Sequence, residues 1–168
     1  MRQTKVEIYK HWLILAEELY HGSEPNRNTP YLGDYRRRKL YGAVVFLALA
    51  LESFINDIGL EYCSDDFASI DRLPTPAKWL IVPKLARREV CSKDREPHRS
   101  IQTIFAYRNL FVHFKPRFQP DGSRDFEKMK SLNQALFKKL HEQSVAAMKL
   151  ASREFKISGM EWLEDKKL

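Results

Sequence analysis

The chain has 168 residues, 43% of them hydrophobic and 12% aromatic, enough for one domain to bury a continuous core and too apolar for a disordered tail. A formal net charge of +7 and a pI near 9.4 favour an anionic partner such as RNA, DNA, an acidic protein or a phosphate-rich surface, without choosing among them. Cys63 and Cys91 have neither CxxC spacing nor neighbouring histidines, which argues against a zinc site or a disulfide framework and for a reducing cytoplasm.

The start, MRQTKVEIYKHW, lacks the apolar run of a secretory signal, so export is not expected. From Val6 to Tyr20 the apolar residues Ile8, Trp12, Leu15, Ala16 and Leu19 recur at helical spacing, and the Gly-, Pro- and Asn-containing stretch HGSEPNRNTPYLGD then predicts a loop. A longer, central helix is predicted from about Tyr35 to Tyr62, with Leu40, Val44, Leu47, Leu51, Phe54 or Ile55, and Ile58 on one stripe. Its apolar run is interrupted by Glu52, Asn56 and Asp57, so it reads as a buried core helix and no membrane partner is expected. Thr75 before Pro76 looks like an N-cap for the short helix PAKWLIV, which Pro83 ends or kinks. Pro97 opens a fourth helix that should stop just beyond His113, because Pro116 biases Lys115 away from helical geometry. After QPDGSRD, the positions Phe126, Met129, Leu132, Leu136, Leu140, Met148, Ala151 and Phe155 mark a last long helix. The expectation is one all-α domain over residues 1–168, a bundle of four or five helices, two of them long.

The stretch YRNLFVHFKP, Tyr107 to Pro116, places three polar residues in an apolar helix. Ile101, Ile104, Phe105, Arg108, Phe111 and Val112 share one stripe, so Arg108 is expected on the core side, where a guanidinium requires a carboxylate or an anionic ligand. Asn109 and His113 are four apart, close enough for the amide to orient the imidazole or point beside it at a ligand. Arg108 and His113 lie about 140° apart on an ideal helix and converge only through the reach of Arg near a fraying end. On the central helix Tyr41, Val45, Ala48 and Leu49 form a second apolar stripe running into Glu52 and Asn56. Two accounts follow: an ion pair between Glu52 and Arg108 that only pins two helices, or a site in which Arg108 binds a phosphoryl oxygen and His113 exchanges protons.

Arg108-Asn109-Leu110-Phe111-Val112-His113 resembles the Arg, polar residue, then His motif of the HEPN superfamily of all-α domains, and LALESFINDIG resembles the early helix of many of its members. The resemblance covers about Tyr35 to Phe155. It implies a HEPN-like helical bundle and a metal-independent endoribonuclease, often a toxin or an antiviral factor, that acts as a homodimer. Attack of an RNA 2′-hydroxyl on the adjacent phosphate would leave a 2′,3′-cyclic phosphate, with no cofactor and no metal. On that resemblance Arg108 and His113 take the catalytic roles and Asn109 the polar supporting position; Glu52 and Asn56, from the polar end of the central helix's second stripe, are the expected supporting residues. A neutralising antitoxin or regulatory protein is a further partner it suggests. Inactive members exist, so the alternative is a non-catalytic module that binds RNA or a nucleotide or serves dimerisation.

Basic residues cluster in DYRRRK, in KLARREVCSKDR and in HFKPRF, three patches that could form one groove. Arg36, Arg37 and Arg38 sit at a helix N-terminus, where cations oppose the macrodipole, and so ask for an external anion unless Asp34 and Glu17 or Glu18 balance them. Lys115 and Arg117, next to the motif and beside Phe114 and Phe118, are the other candidates for RNA phosphates. His11, His21, His98 and His141 receive no role.

Overall fold

In the computed structural model, which describes residues 8–23, 33–112, 128–166 and 168, all regular structure is helical. Helix α1 spans Ile8–His21, α2 Gly33–Tyr62, α3 Phe67–Ile70, α4 Thr75–Leu85, α5 His98–Val112 and α6 Gln134–Phe155. A helical segment at 128–131 precedes α6, and a 3-10 turn at Glu161–Leu163 follows it. The fold is thus all-α with two long helices, as the periodicity predicts.

The α2 stripe from Leu40 through Val44, Leu47, Leu51, Phe54, Ile55 and Ile58 is buried, and the helix packs against α1, α4, α5 and α6. By length and composition α2 is the one described helix that could cross a membrane, but 56% of its apolar window is covered inside the bundle, so its apolar face is spent on the core.

Ring contacts fix the helix directions. Tyr9 packs edge-on against Phe54 and Trp12 stacks on Phe46, so α1 runs antiparallel to α2. Tyr41 stacks on Phe111 at one end of the bundle; at the other, Lys78 reaches Asn56 while His98 meets the Pro76 carbonyl, so α5 is also antiparallel to α2. Leu40 shares a cavity with Asn133, whereas the Tyr62 hydroxyl donates to the Phe155 carbonyl at 2.6 Å, which makes α6 parallel to α2. Trp79 of α4 stacks on Phe54 and is wholly buried.

Four local expectations are corrected. On α1 the inward face is Tyr9, Leu13, Ala16 and Tyr20, while Ile8 is exposed and Trp12, Leu15 and Leu19 only half-buried. The two tyrosines turn inward because their rings find aromatic partners and Tyr9 can donate its hydroxyl to Met160 Sδ at 3.5 Å. Thr75 is the first residue inside α4 rather than its cap; it is buried there, and the Pro74 carbonyl accepts the first helical bonds, from Ala77 and Lys78. Pro83 lies inside α4, which continues to Leu85, since a missing N–H this near the end removes one bond only. Finally, the last helix is broken at 132–133: Asn133 is extended and its side chain accepts from the Leu136 N–H at 2.9 Å, so α6 starts at Gln134 and buries Phe137.

Candidate functional site

Antiparallel and parallel packing together collect the end of α1, the start of α2, the end of α5 and the start of α6 at one end of the bundle. Arg108 is in the last turns of α5 at this end. Ile101, Ile104, Phe105 and Tyr107 take the fully buried positions, and Arg108 lies half-buried beside them instead of on the core face expected from the stripe. Tyr107 takes the inward position because its hydroxyl bonds Ser131 Oγ at 2.7 Å and its ring stacks on Phe111. Ser131 already donates to the Lys128 carbonyl, so Tyr107 is the donor.

Glu52 does not meet Arg108: among the described residues no ion pair joins them. The Tyr41–Phe111 stack sets Arg108 opposite residues near Val44, and Glu52 lies eight residues further along α2, about 12 Å by helical rise. Asn56 is further still, and its Oδ1 accepts from Lys78 Nζ at 2.9 Å. Lys78 is itself almost wholly buried and bonds Asp71 at 2.9 Å, so Asn56 closes a structural pair between α2 and α4 and cannot support the Arg108 site. Register, which one helix's periodicity does not contain, sets both residues apart from Arg108 within the chain.

Asn109 does join Arg108: the Arg108 Nη1 donates to Asn109 Oδ1 at 3.1 Å. Among the described residues Arg108 has no carboxylate partner, so the pair presents a guanidinium oriented by an uncharged neighbour. His113, Lys115 and Arg117 lie outside the described residues.

The start of α2 brings Arg36, Arg37 and Arg38 to the same end. There Arg36, Arg37 and Leu40 of α2, with Lys130 of the segment before α6 and Asn133 and Gln134 at its start, line an open cavity of about 460 Å³. Sequence reasoning missed Lys130 and Gln134, because nothing in a linear pattern indicates that α6 begins beside α2. Lys128 extends the basic surface, its Nζ 5.9 Å from the Tyr107 ring centroid. The patch containing Lys84, Arg88 and Lys93 surrounds a different cavity beyond the end of α4. Cys63 lies against the Val82 carbonyl there, so this patch is roughly 33 Å along α2 from Tyr41 and does not share a groove with the motif end.

Two histidines have partners that sequence did not reveal. The His98 Nε2 meets the Pro76 carbonyl at 3.1 Å. The His141 Nε2 lies 3.0 Å from Glu17 Oε1 and must carry its proton, because a carboxylate only accepts. Lys166 bonds the other Glu17 oxygen, so Glu17 clasps α1, α6 and the C-terminal segment and is not available to balance the arginines of α2. Burial raises the Glu17 carboxyl, yet the hydrogen bonds from His141 and Lys166 outweigh it and hold the group below its ordinary 4.5. No group of three metal-ligating side chains forms among the described residues. Neither the family models, nor the curated proteins, nor the solved structures contain a match to this chain.

Proposed function

We propose that the chain is a HEPN-type endoribonuclease that cleaves RNA without a metal cofactor, in a toxin or antiviral setting, and acts in the cytoplasm as a homodimer. The observation that carries this reading is Arg108, a half-buried guanidinium with no carboxylate partner among the described residues, at the same end of the bundle as Arg36, Arg37 and Lys130. A guanidinium so placed suits a phosphoryl oxygen better than a structural pair. Arg108 would stabilise the charge of the pentacoordinate phosphorus, with Asn109 holding its direction. His113 would take the proton of the attacking 2′-hydroxyl, and the second copy's histidine would protonate the departing 5′-oxygen. The P–O5′ bond breaks as the P–O2′ bond forms, leaving a 2′,3′-cyclic phosphate and a 5′-hydroxyl. Tyr35 and Val112, exposed at this end, supply apolar surface for a two-fold contact that would bring the two motifs together.

The test is incubation with single-stranded RNA in chelator, for the wild-type chain, Arg108→Ala and His113→Ala, with end-group analysis of products and a solution mass. Cyclic-phosphate ends that disappear in both variants sustain the reading; RNA binding with no cleavage in the wild type replaces it with a non-catalytic RNA-binding module.

A further inference from the structure

The cavity between the first turns of α2 and α6 has the composition of a phosphate subsite separate from Arg108. Of its described lining residues Arg36, Arg37 and Lys130 are cationic and none is acidic, in a chain with 22 acidic residues. Arg37 and Lys130 are exposed to solvent at its mouth. Cations clustered in a concave space raise the local concentration of anions.

The backbone adds to the same field. Both bordering helices start at this end of the bundle, so their positive macrodipole ends lie near the space. Asn133 satisfies the Leu136 N–H and its carbonyl satisfies Phe137, whereas the N–H groups of Gln134 and Ala135, in the first turn, have no helical carbonyl to bond. The Gln134 side chain reaches Ser23 Oγ at 3.5 Å, a long contact that an entering oxygen could replace. Through Ser131, next to Lys130, the wall is tied to the Tyr107 hydroxyl and so to the helix that carries Arg108. The cavity wall and the Arg108 helix are thus joined at one end of the bundle.

We infer that this cavity holds a backbone phosphate of single-stranded RNA flanking the one at Arg108, with Arg37, Lys130 and the first-turn amides of α6 as its ligands. The inference rests on the ribonuclease reading for the identity of the strand, but it concerns binding and not bond cleavage.

The experiment measures affinity of the full-length chain for a fluorescent single-stranded RNA across a salt series. It compares wild type with Arg37→Glu, Lys130→Glu and the milder Arg37→Gln and Lys130→Gln, and uses Arg88→Glu as a control of equal charge change at the other end of the bundle. Each lost phosphate contact should lower the slope of log affinity against log salt by about 0.7 and weaken binding on the order of tenfold at low salt, whereas Arg88→Glu leaves both near wild type. Thermal melting of each variant separates lost contacts from lost fold, and inorganic phosphate as competitor separates a lone anion site from a strand-reading one. Unchanged slopes in the Arg37 and Lys130 variants, or an equal loss in Arg88→Glu, overturn the subsite even if cleavage is observed. Variant-specific loss of binding in a chain that never cleaves overturns the ribonuclease reading and leaves the subsite standing. Displacement by millimolar phosphate with no preference for the strand reduces it to a free-anion site and overturns the RNA assignment.

Discussion

The Tyr41 and Phe111 rings stack with centroids 4.4 Å apart and planes 23° from parallel, and this contact decides what Arg108 can touch. It locks the last turn of α5 to the early part of α2, which brings Arg36 and Arg37 to the motif end and leaves Glu52 about two turns away. The same register therefore removes the ion-pair account of Arg108 and assembles a cationic end around it.

Stability and activity should consequently separate at Arg108. Breaking a buried ion pair typically costs about 3–5 kcal/mol. Arg108→Ala removes a half-buried side chain whose described partner is a neighbouring amide, so urea denaturation should show a loss of about 1 kcal/mol or less. Cleavage of RNA by the same preparation should vanish. A loss of several kcal/mol would instead mean that the guanidinium is a structural strut.

Gly59, inside α2, tests the packing of the small helix α3. A Cβ added there would lie 2.6 Å from Cε2 and 2.8 Å from Cδ2 of Phe67, closer than packed carbon atoms tolerate. Gly59→Ala should destabilise by about 1–2 kcal/mol despite the better helix propensity of alanine. In a Phe67→Leu background the same substitution should be neutral or stabilising, a coupling that a double-mutant cycle of denaturation midpoints reads directly.

Acid should loosen the C-terminal clasp. A carboxyl held below 4.5 in the fold adds stability that is complete above 4.5 and is lost as pH falls through the folded value. Denaturation midpoints of wild type compared at about pH 6 and about pH 3.5 should therefore drop more than those of Glu17→Gln, which has no such proton to take up. Equal drops would remove Glu17 from the acid response.

Neither thiol should react readily in the native state. Burial pushes the Cys91 thiol up to about 12, and burial with Asp66 nearby also raises Cys63. At pH 8 only about one Cys91 in ten thousand is then a thiolate. A disulfide reagent should modify almost nothing in native protein and two thiols per chain after denaturation; rapid native labelling would show that the Cys91 environment opens.

What the sequence by itself determined was the all-α character, the two long helices and the buried stripe of α2, because apolar spacing of three and four residues is a local property that survives any arrangement of neighbours. It also singled out Arg108 and Asn109 as polar interruptions near a helix end, but read Asn109 toward His113, whereas in the structure the Arg108 guanidinium bonds the Asn109 amide. Where a residue's direction depended on a distant partner, local reasoning failed: Tyr9 and Tyr20 displaced the expected α1 face and Lys78 claimed Asn56. Only the tertiary structure decided that α2 and α6 start together, because helix pairing is set by which rings and buried polar groups meet across the core. That pairing turned the scattered cations Arg36, Arg37 and Lys130 into one cavity wall beside the motif, and moved the Lys84–Lys93 patch to the far end.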